Sequence, residues 1–300
     1  MTRTSPAEFA GTGQTASVLL RPRWEGANIR TWLGFKHFVY LAEEAVLGWF
    51  RERGFGPGRL YHEHGLGLTV LESSVLLPAV LEVDDEVVAE VTAQATPGRF
   101  AVKLRTVRAS GETVVLRGKL TVALVPQPDA PAAEPVPGEL APLVTDSFPA
   151  APEDPPPGVF AWTWRVPYFY CQYSDQLAHS GYVRALEEVV DRFLDDRGLA
   201  VPKLLAERGW IPVVSRAAVR LHAPARMDER VRTTFAVQDV LKGVMYDATM
   251  HCAVERDGRW ITTATGRILH GYAISRGPDA GTLAELDEAT VAALNPAGSR

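Results

Sequence analysis

Cysteine is nearly absent: Cys171 and Cys252 are the only two among 300 residues. Two thiols so far apart make neither a disulfide framework nor a metal-ligand spacing, and a reducing, cytoplasmic setting is the simple expectation. Basic runs are also lacking. Thirty-one Lys and Arg stand against 36 Asp and Glu, a net charge of −5. Phosphate binding needs a basic face, so no nucleic-acid partner is expected. No stretch approaches the ~18 apolar residues of a membrane span. The start, Met1 to Ser17, is polar and small, without the apolar centre of a signal peptide. What the chain does have is apolar sequence, 46% of it, and a length that predicts about two domains of ~100–200 residues.

Proline is concentrated rather than scarce. Residues 126–158 hold half of the 22 prolines, including Pro126, Pro128, Pro131, Pro135, Pro137 and the run Pro155-Pro156-Pro157. Such a segment is expected to run extended over a surface and to build no core. It divides the chain into residues 1–125 and 159–275, with a tail at 276–300. The two parts repeat each other. Arg21-Pro22-Arg23-Trp24 matches Arg165-Val166-Pro167-Tyr168, and Arg53-Gly54 matches Arg197-Gly198, at one constant offset. Between them Phe38, Val39, Ala42, Ala45, Val46, Trp49 and Phe50 align with Tyr182, Val183, Leu186, Val189, Val190, Phe193 and Leu194. That spacing is the apolar stripe of an amphipathic helix, stopped in each case by a glycine.

Strand-like runs surround each helix. A short one precedes it, around Val18 to Trp24 and Phe160 to Tyr168. Four follow in the first part: Leu66 to Leu77, Val87 to Ala95, Arg99 to Ala109 and Thr113 to Leu124. Four follow in the second: Ile211 to Leu221, Arg230 to Val240, Gly243 to Arg256 and Arg259 to Tyr272. Turn dipeptides such as Ser110-Gly111 and Asp257-Gly258 separate them. A helix with one apolar face needs a sheet to cover it, so each unit should wrap its own strands around its helix. Thr282 to Leu294 is read as a short outer helix.

This order resembles the hotdog fold, and within it the thioesterases related to 4-hydroxybenzoyl-CoA thioesterase. The resemblance covers most of both units. It rests on that element order and on the segments Phe38-Val39-Tyr40-Leu41-Ala42-Glu43-Glu44 and Tyr182-Val183-Arg184-Ala185-Leu186-Glu187-Glu188. Pro78 and Pro224, which interrupt the second long strand of each unit and are each followed by acidic residues and a β run, are similar to the family's strand pattern. The resemblance implies an α+β double hotdog: two units paired side by side, with active sites between them. It also implies a substrate, an acyl-CoA or acyl-carrier-protein thioester, and no cofactor. Pairing inside one chain leaves monomer or homodimer open.

Thioester hydrolysis needs a polarised carbonyl, an activated water or carboxylate nucleophile, and exclusion of bulk water. In the family the acid, or an Asn in some members, precedes the helix. An ungapped count puts Asn28 there in the first unit, within an E-x-x-N segment similar to that of some polyketide-associated members, and Gln172 in the second. A different match, to a Y-x-D-x-x-x-H pattern, selects Tyr173, Asp175 and His179. If that segment is helical, Asp175 and His179 meet at i, i+4 on the buried side, and the pair becomes the preferred acid and base. The bland alternative is an Asp at a helix start with His179 packed under Tyr182. If a helix carboxylate takes part in the chemistry it is Glu43 or Glu187, which project to the margin of the apolar stripe where the other unit would cover them, with salt bridges to arginines as the alternative use; Glu44 and Glu188 project to solvent. Gln172, Thr31, Tyr182 and His37 are candidate substrate contacts. His62 and His64 flank Glu63 in what reads as a loop, and no third metal ligand is evident.

Three activities fit this reading. A thioesterase with one working site comes first. A hydratase or dehydratase on the same fold comes second, although its usual His spacing and Asn-Pro are absent. A non-catalytic acyl-binding protein comes third, since Asn28 and Gln172 are not acids. The Ala, Arg, Pro and Val richness points to a lipid or polyketide pathway of a high-GC bacterium.

Overall fold

Each apolar stripe becomes an eighteen-residue helix. In the computed structural model, which describes residues 13–109, 111–153, 155 and 158–294, the first unit runs β1 (Thr15–Leu20), α1 (Phe35–Glu52), α2 (Pro57–His64), β2 (Leu66–Leu76), β3 (Val87–Ala93), β4 (Arg99–Arg108) and β5 (Gly111–Pro126). The second runs β6 (Phe160–Arg165), α3 (His179–Asp196), α4 (Val201–Arg208), β7 (Trp210–Leu221), β8 (Arg230–Leu241), β9 (Met245–Arg256) and β10 (Arg259–Ile274), followed by α5 (Glu288–Leu294). Phe35 and His179, and Glu52 and Asp196, stand 144 residues apart. The same offset carries into the loops, where the bridges Ala27↔Leu33 and Trp32↔Glu82 match Cys171↔Leu177 and Gln176↔Arg226.

Both long helices end in the same way. The N–H of Gly54 bonds to the carbonyl of Arg51 and that of Phe55 to Phe50; Gly198 and Leu199 bond likewise to Asp195 and Leu194. Gly54 and Gly198 have positive φ, and Phe55 and Leu199 are buried beside them. This is a Schellman stop, which only a residue tolerant of the left-handed region makes cheaply. The stripes themselves are buried, from Phe38 to Phe50 and from Tyr182 to Leu194. Each large side chain so removed from water contributes about 1.5–3 kcal/mol.

All ten strands form one antiparallel sheet in the order β1-β3-β4-β5-β2-β7-β10-β9-β8-β6. Outward from the middle, each half repeats one order. The seam is β2 against β7, with Glu72 opposite Arg220, Ser74 opposite Ala218 and Leu76 opposite Arg216. Ser74 and Ala218 are themselves repeat equivalents, so an approximate twofold axis passes between them. Arg220 donates to Glu72 across the seam at 2.8 Å.

Eight strands lie within two residues of the sequence expectation. Several details differ. The leading strand is Thr15–Leu20, and Trp24 opens a short 3-10 turn instead. His62 and His64 sit in α2, which a Pro at its first turn starts and Gly65 ends, rather than in a loop. Pro78 and Pro224 follow the ends of β2 and β7 instead of interrupting them. The outer helix is shorter than predicted, Glu288–Leu294. The proline-rich segment also contributes to the core, against expectation: Leu140 and Leu143 are buried around a 3-10 turn. Val144 bridges to Leu124, and Phe148 covers Leu71, Ala123 and Val125. Among the described residues, no helix is long and apolar enough to cross a membrane.

Candidate active site

The sheet's near-twofold symmetry sets α1 and α3 side by side, and contacts between their ends show them to be antiparallel. The first turn of each faces the third turn of the other: Lys36 donates to the carboxylate of Glu187, and His179 meets Glu43. At the centre the equivalent residues Tyr40 and Arg184 face each other, the guanidinium 5.3 Å from the ring centroid. Glu43 and Glu187 thus lie half-buried at the stripe margin. Glu44 and Glu188 pair outside with Arg51 and Arg192.

At the start of α1 the preceding loop is closed by the Ala27↔Leu33 bridge and turned by Arg30 at φ 62°. Gly34 is the N-cap. Its φ is ordinary, and the reason for glycine is space. A Cβ there would stand 2.5 Å from Asn28 Nδ2 and 3.2 Å from Glu187 Oε1. The carboxamide of one unit and the carboxylate of the other therefore converge on the helix start. The first N–H groups of a helix have no intrahelical partner and carry its positive end. Lys36 and Glu187 retain 18% and 30% side-chain exposure, so water reaches the pair.

A cavity of about 720 Å³ opens here. Asn28, Lys36 and Glu187 line it, and it extends past Val190 and Leu194 of α3 to Ile211, Met245, Ile268 and His270 of the second sheet half. Its size falls within the usual ~300–1,000 Å³ of a small-molecule site. Gly281 and Leu283 of the C-terminal tail form part of its wall, a role the sequence did not indicate.

At the equivalent start of α3 the residues differ. Ala178 replaces Gly34, His179 replaces Phe35, Ser180 replaces Lys36 and Gln172 replaces Asn28. His179 Nδ1 lies 2.6 Å from Glu43 Oε1, the geometry of an N–H donating to a carboxylate. The imidazole is buried, and its Nε2 has no hydrogen-bond partner among the described residues. Asp175 is not that partner. The helix begins only at His179, Tyr173 turns the chain at φ 61°, and Asp175 accepts from Arg226 at 3.0 and 3.1 Å. Its side chain is 43% exposed. The expected i, i+4 pair is therefore corrected to a pair between units, His179 with Glu43.

Three of the four candidate substrate contacts lie elsewhere, and the fourth is core. Gln172 is exposed and outside the cavity wall. Thr31 donates to Glu82. His37 is buried against Tyr40 with ring centroids 5.4 Å apart, and burial, aided by Lys36, pushes its imidazole down to about 4. Tyr182 is fully buried, and burial raises its phenol far above the ordinary value. Sequence reasoning missed Lys36, Gly34 and the cavity; Lys36 could have been noticed as a cation beside an apolar stripe. For a metal, the described residues offer Glu63, His64 and Glu134, whose ligand atoms lie within 4.8 Å of one another. Arg59 already donates to Glu63 at 2.5 Å and would compete with a cation.

Similarity to known proteins follows this geometry. Residues 170–294 match the family model of the Thioesterase-like superfamily. No curated protein sequence matches the chain. Among solved structures, one described as an oleoyl thioesterase from Lactobacillus plantarum superposes with a TM-score of 0.60 at 12% identity, over 88% of this chain and 98% of its own. The 12:0-ACP thioesterase from Umbellularia californica gives 0.59 at 12% identity, over 86% and 94%. An acyl-ACP thioesterase from Bacteroides thetaiotaomicron gives 0.54 at 10%, over 85% and 97%. At these identities the structures establish the fold. The chain has the fold of a double hotdog, and residues 170–294, most of its second unit, are similar to the Thioesterase-like superfamily.

Proposed function

We propose that this protein hydrolyses an acyl thioester, of coenzyme A or of an acyl carrier protein, at the start of α1. One observation carries the reading: Asn28 and Glu187 converge on the Gly34 N-cap where the 720 Å³ cavity opens. The acyl group occupies the cavity and the thioester carbonyl lies against the helix start. The free N–H groups of α1 and the Asn28 amide polarise the carbonyl oxygen. Glu187 takes a proton from water as the water oxygen bonds to the carbonyl carbon. The tetrahedral oxyanion collapses, the C–S bond breaks, and the thiolate leaves and takes up a proton. Lys36 holds the Glu187 carboxylate in place. The two free cysteines fit a reducing cytoplasm, and the composition fits a bacterial lipid or polyketide pathway.

The His179–Glu43 pair favours a second reading, in which the equivalent position at α3 does the chemistry. A hydratase on this fold would also call on an acid–imidazole pair, and Asp175 and His179 do not form one, since Asp175 is held by Arg226. Thiol release from a panel of acyl-CoA and acyl-pantetheine substrates tests all of this. Glu187→Gln is expected to lower kcat about 10²-fold or more, with His179→Asn retaining most turnover. The reverse pattern moves the chemistry to α3. A panel with no turnover at all ends the thioesterase reading.

A further inference from the structure

The buried wall of the cavity carries an unusual residue for its surroundings. His270 lines it beside Ile268 and Met245 and is only 3% exposed. Tyr246 stands opposite it on β9, ring centroids 4.9 Å apart, and Tyr272 follows on the same face of β10 at 5.6 Å. His270 Nδ1 and both phenol oxygens are buried without a hydrogen-bond partner among the described residues. Native interiors pair more than about nine in ten such groups, because an unpaired one is costly. Three together therefore call for a partner.

The repeat shows that the fold itself does not require them. β2 pairs Val70 with Val122 and Leu68 with Leu124. The equivalent ladder of the second unit pairs Val214 with His270 and Pro212 with Tyr272. The first unit thus fills the two positions with Val122 and Leu124, and both are buried in its core. In the second unit His270 itself lines the cavity, and Tyr246 and Tyr272 pack against its ring.

The character of the cluster defines its ligand. Burial pushes the His270 imidazole down to about 3, so it is neutral at any ordinary pH. It then offers one N–H donor and one lone pair, and the phenols can donate or accept. Burial alone sets the shift of the imidazole, with no charged group among its causes, so the group that matches the cluster is an uncharged oxygen. Resting on the reading of the cavity as the acyl site, we infer that His270, with Tyr246 and Tyr272, forms a subsite for a hydroxyl or keto oxygen carried on the acyl chain of the substrate.

The test compares dodecanoyl-CoA with its hydroxy- and oxo-substituted isomers, the oxygen moved along the chain. At least one isomer is expected to exceed the plain chain about 10-fold in kcat/KM. His270→Phe abolishes that preference, so that within this variant the oxygenated isomers and the plain chain are turned over with kcat/KM values in a ratio near one. Tyr246→Phe, which removes only an oxygen, reduces the preference and guards against a folding defect in the first variant. Calorimetric binding of the matching free acids is read in parallel. If no thiol is released yet the oxygenated acid binds more tightly and His270→Phe removes that advantage, the subsite stands and the hydrolysis reading falls. A wild-type protein that prefers the plain chain in both assays, unchanged by either variant, overturns the subsite and leaves the cluster to trapped water.

Discussion

Lowering the pH from 7 to 5 should cost the fold about 4 kcal/mol through two histidines. In the unfolded chain both titrate near 6.5. In the folded protein burial holds His37 near 4 and His270 near 3. Both values are depressed, so over this range the unfolded state binds the extra protons and stability falls as pH falls. The contribution is fully present above 6.5 and is lost progressively toward the folded values. At pH 5 the unfolded imidazoles are almost wholly protonated, and at about 1.4 kcal/mol per unit each histidine forfeits roughly 2 kcal/mol. Glu229, held below its ordinary 4.5 by hydrogen bonds from Arg256, loses its contribution mainly below this window. Urea unfolding at fixed ionic strength reads the effect as a midpoint lower by the order of 1 M at pH 5. His270→Phe should remove about half the difference. A midpoint flat between pH 7 and 5, or a slope unchanged in that variant, refutes the argument that burial keeps these rings neutral.

Two further outcomes follow from packing. Leu140 is fully buried although it lies in the proline-rich segment, so Leu140→Ala should destabilise by about 2–5 kcal/mol in urea unfolding; a change below ~0.5 kcal/mol would mean that the segment is only a surface strap. Gly34→Ala places a methyl group 2.5 Å from Asn28 Nδ2 at a φ that alanine accepts. It should therefore reduce thiol release at least 10-fold with a shift in melting temperature of only a few degrees, whereas unchanged turnover would remove Asn28 from the reaction.

The repeat was legible because its signals are local. A 3.6-residue stripe, a glycine stop and a hairpin dipeptide each act within a few residues, and two copies at one offset reinforce each other. The projection that put Glu43 and Glu187 at the stripe margin used the same local geometry. Their partners were not readable, since His179 lies 136 residues from Glu43 and Lys36 lies 151 from Glu187, and only the helix crossing brings them together. Asp175 misled because the pattern assumed a helix four residues longer than the one that forms after the turn at Tyr173. Leu140 and Leu143 were hidden by composition, which averages a segment and cannot see two leucines spaced for one 3-10 turn. His270 was visible all along as a polar residue in Ile268-Leu269-His270-Gly271-Tyr272, but its meaning depends on the cavity beside it.

The seam between β2 and β7 has a consequence for how this molecule can change. When two identical chains meet across such an axis, every substitution is made twice, and a residue near the axis must tolerate its own copy. Here the axis lies inside one polypeptide, so each side varies alone. Tyr40 can face Arg184, where an identical pair would set tyrosine against tyrosine or guanidinium against guanidinium. Phe35 can stay apolar while His179 does not, and Val122 can remain core while His270 turns polar. Joining the halves doubles the independent degrees of freedom of the binding surfaces while keeping the architecture of a symmetric pair.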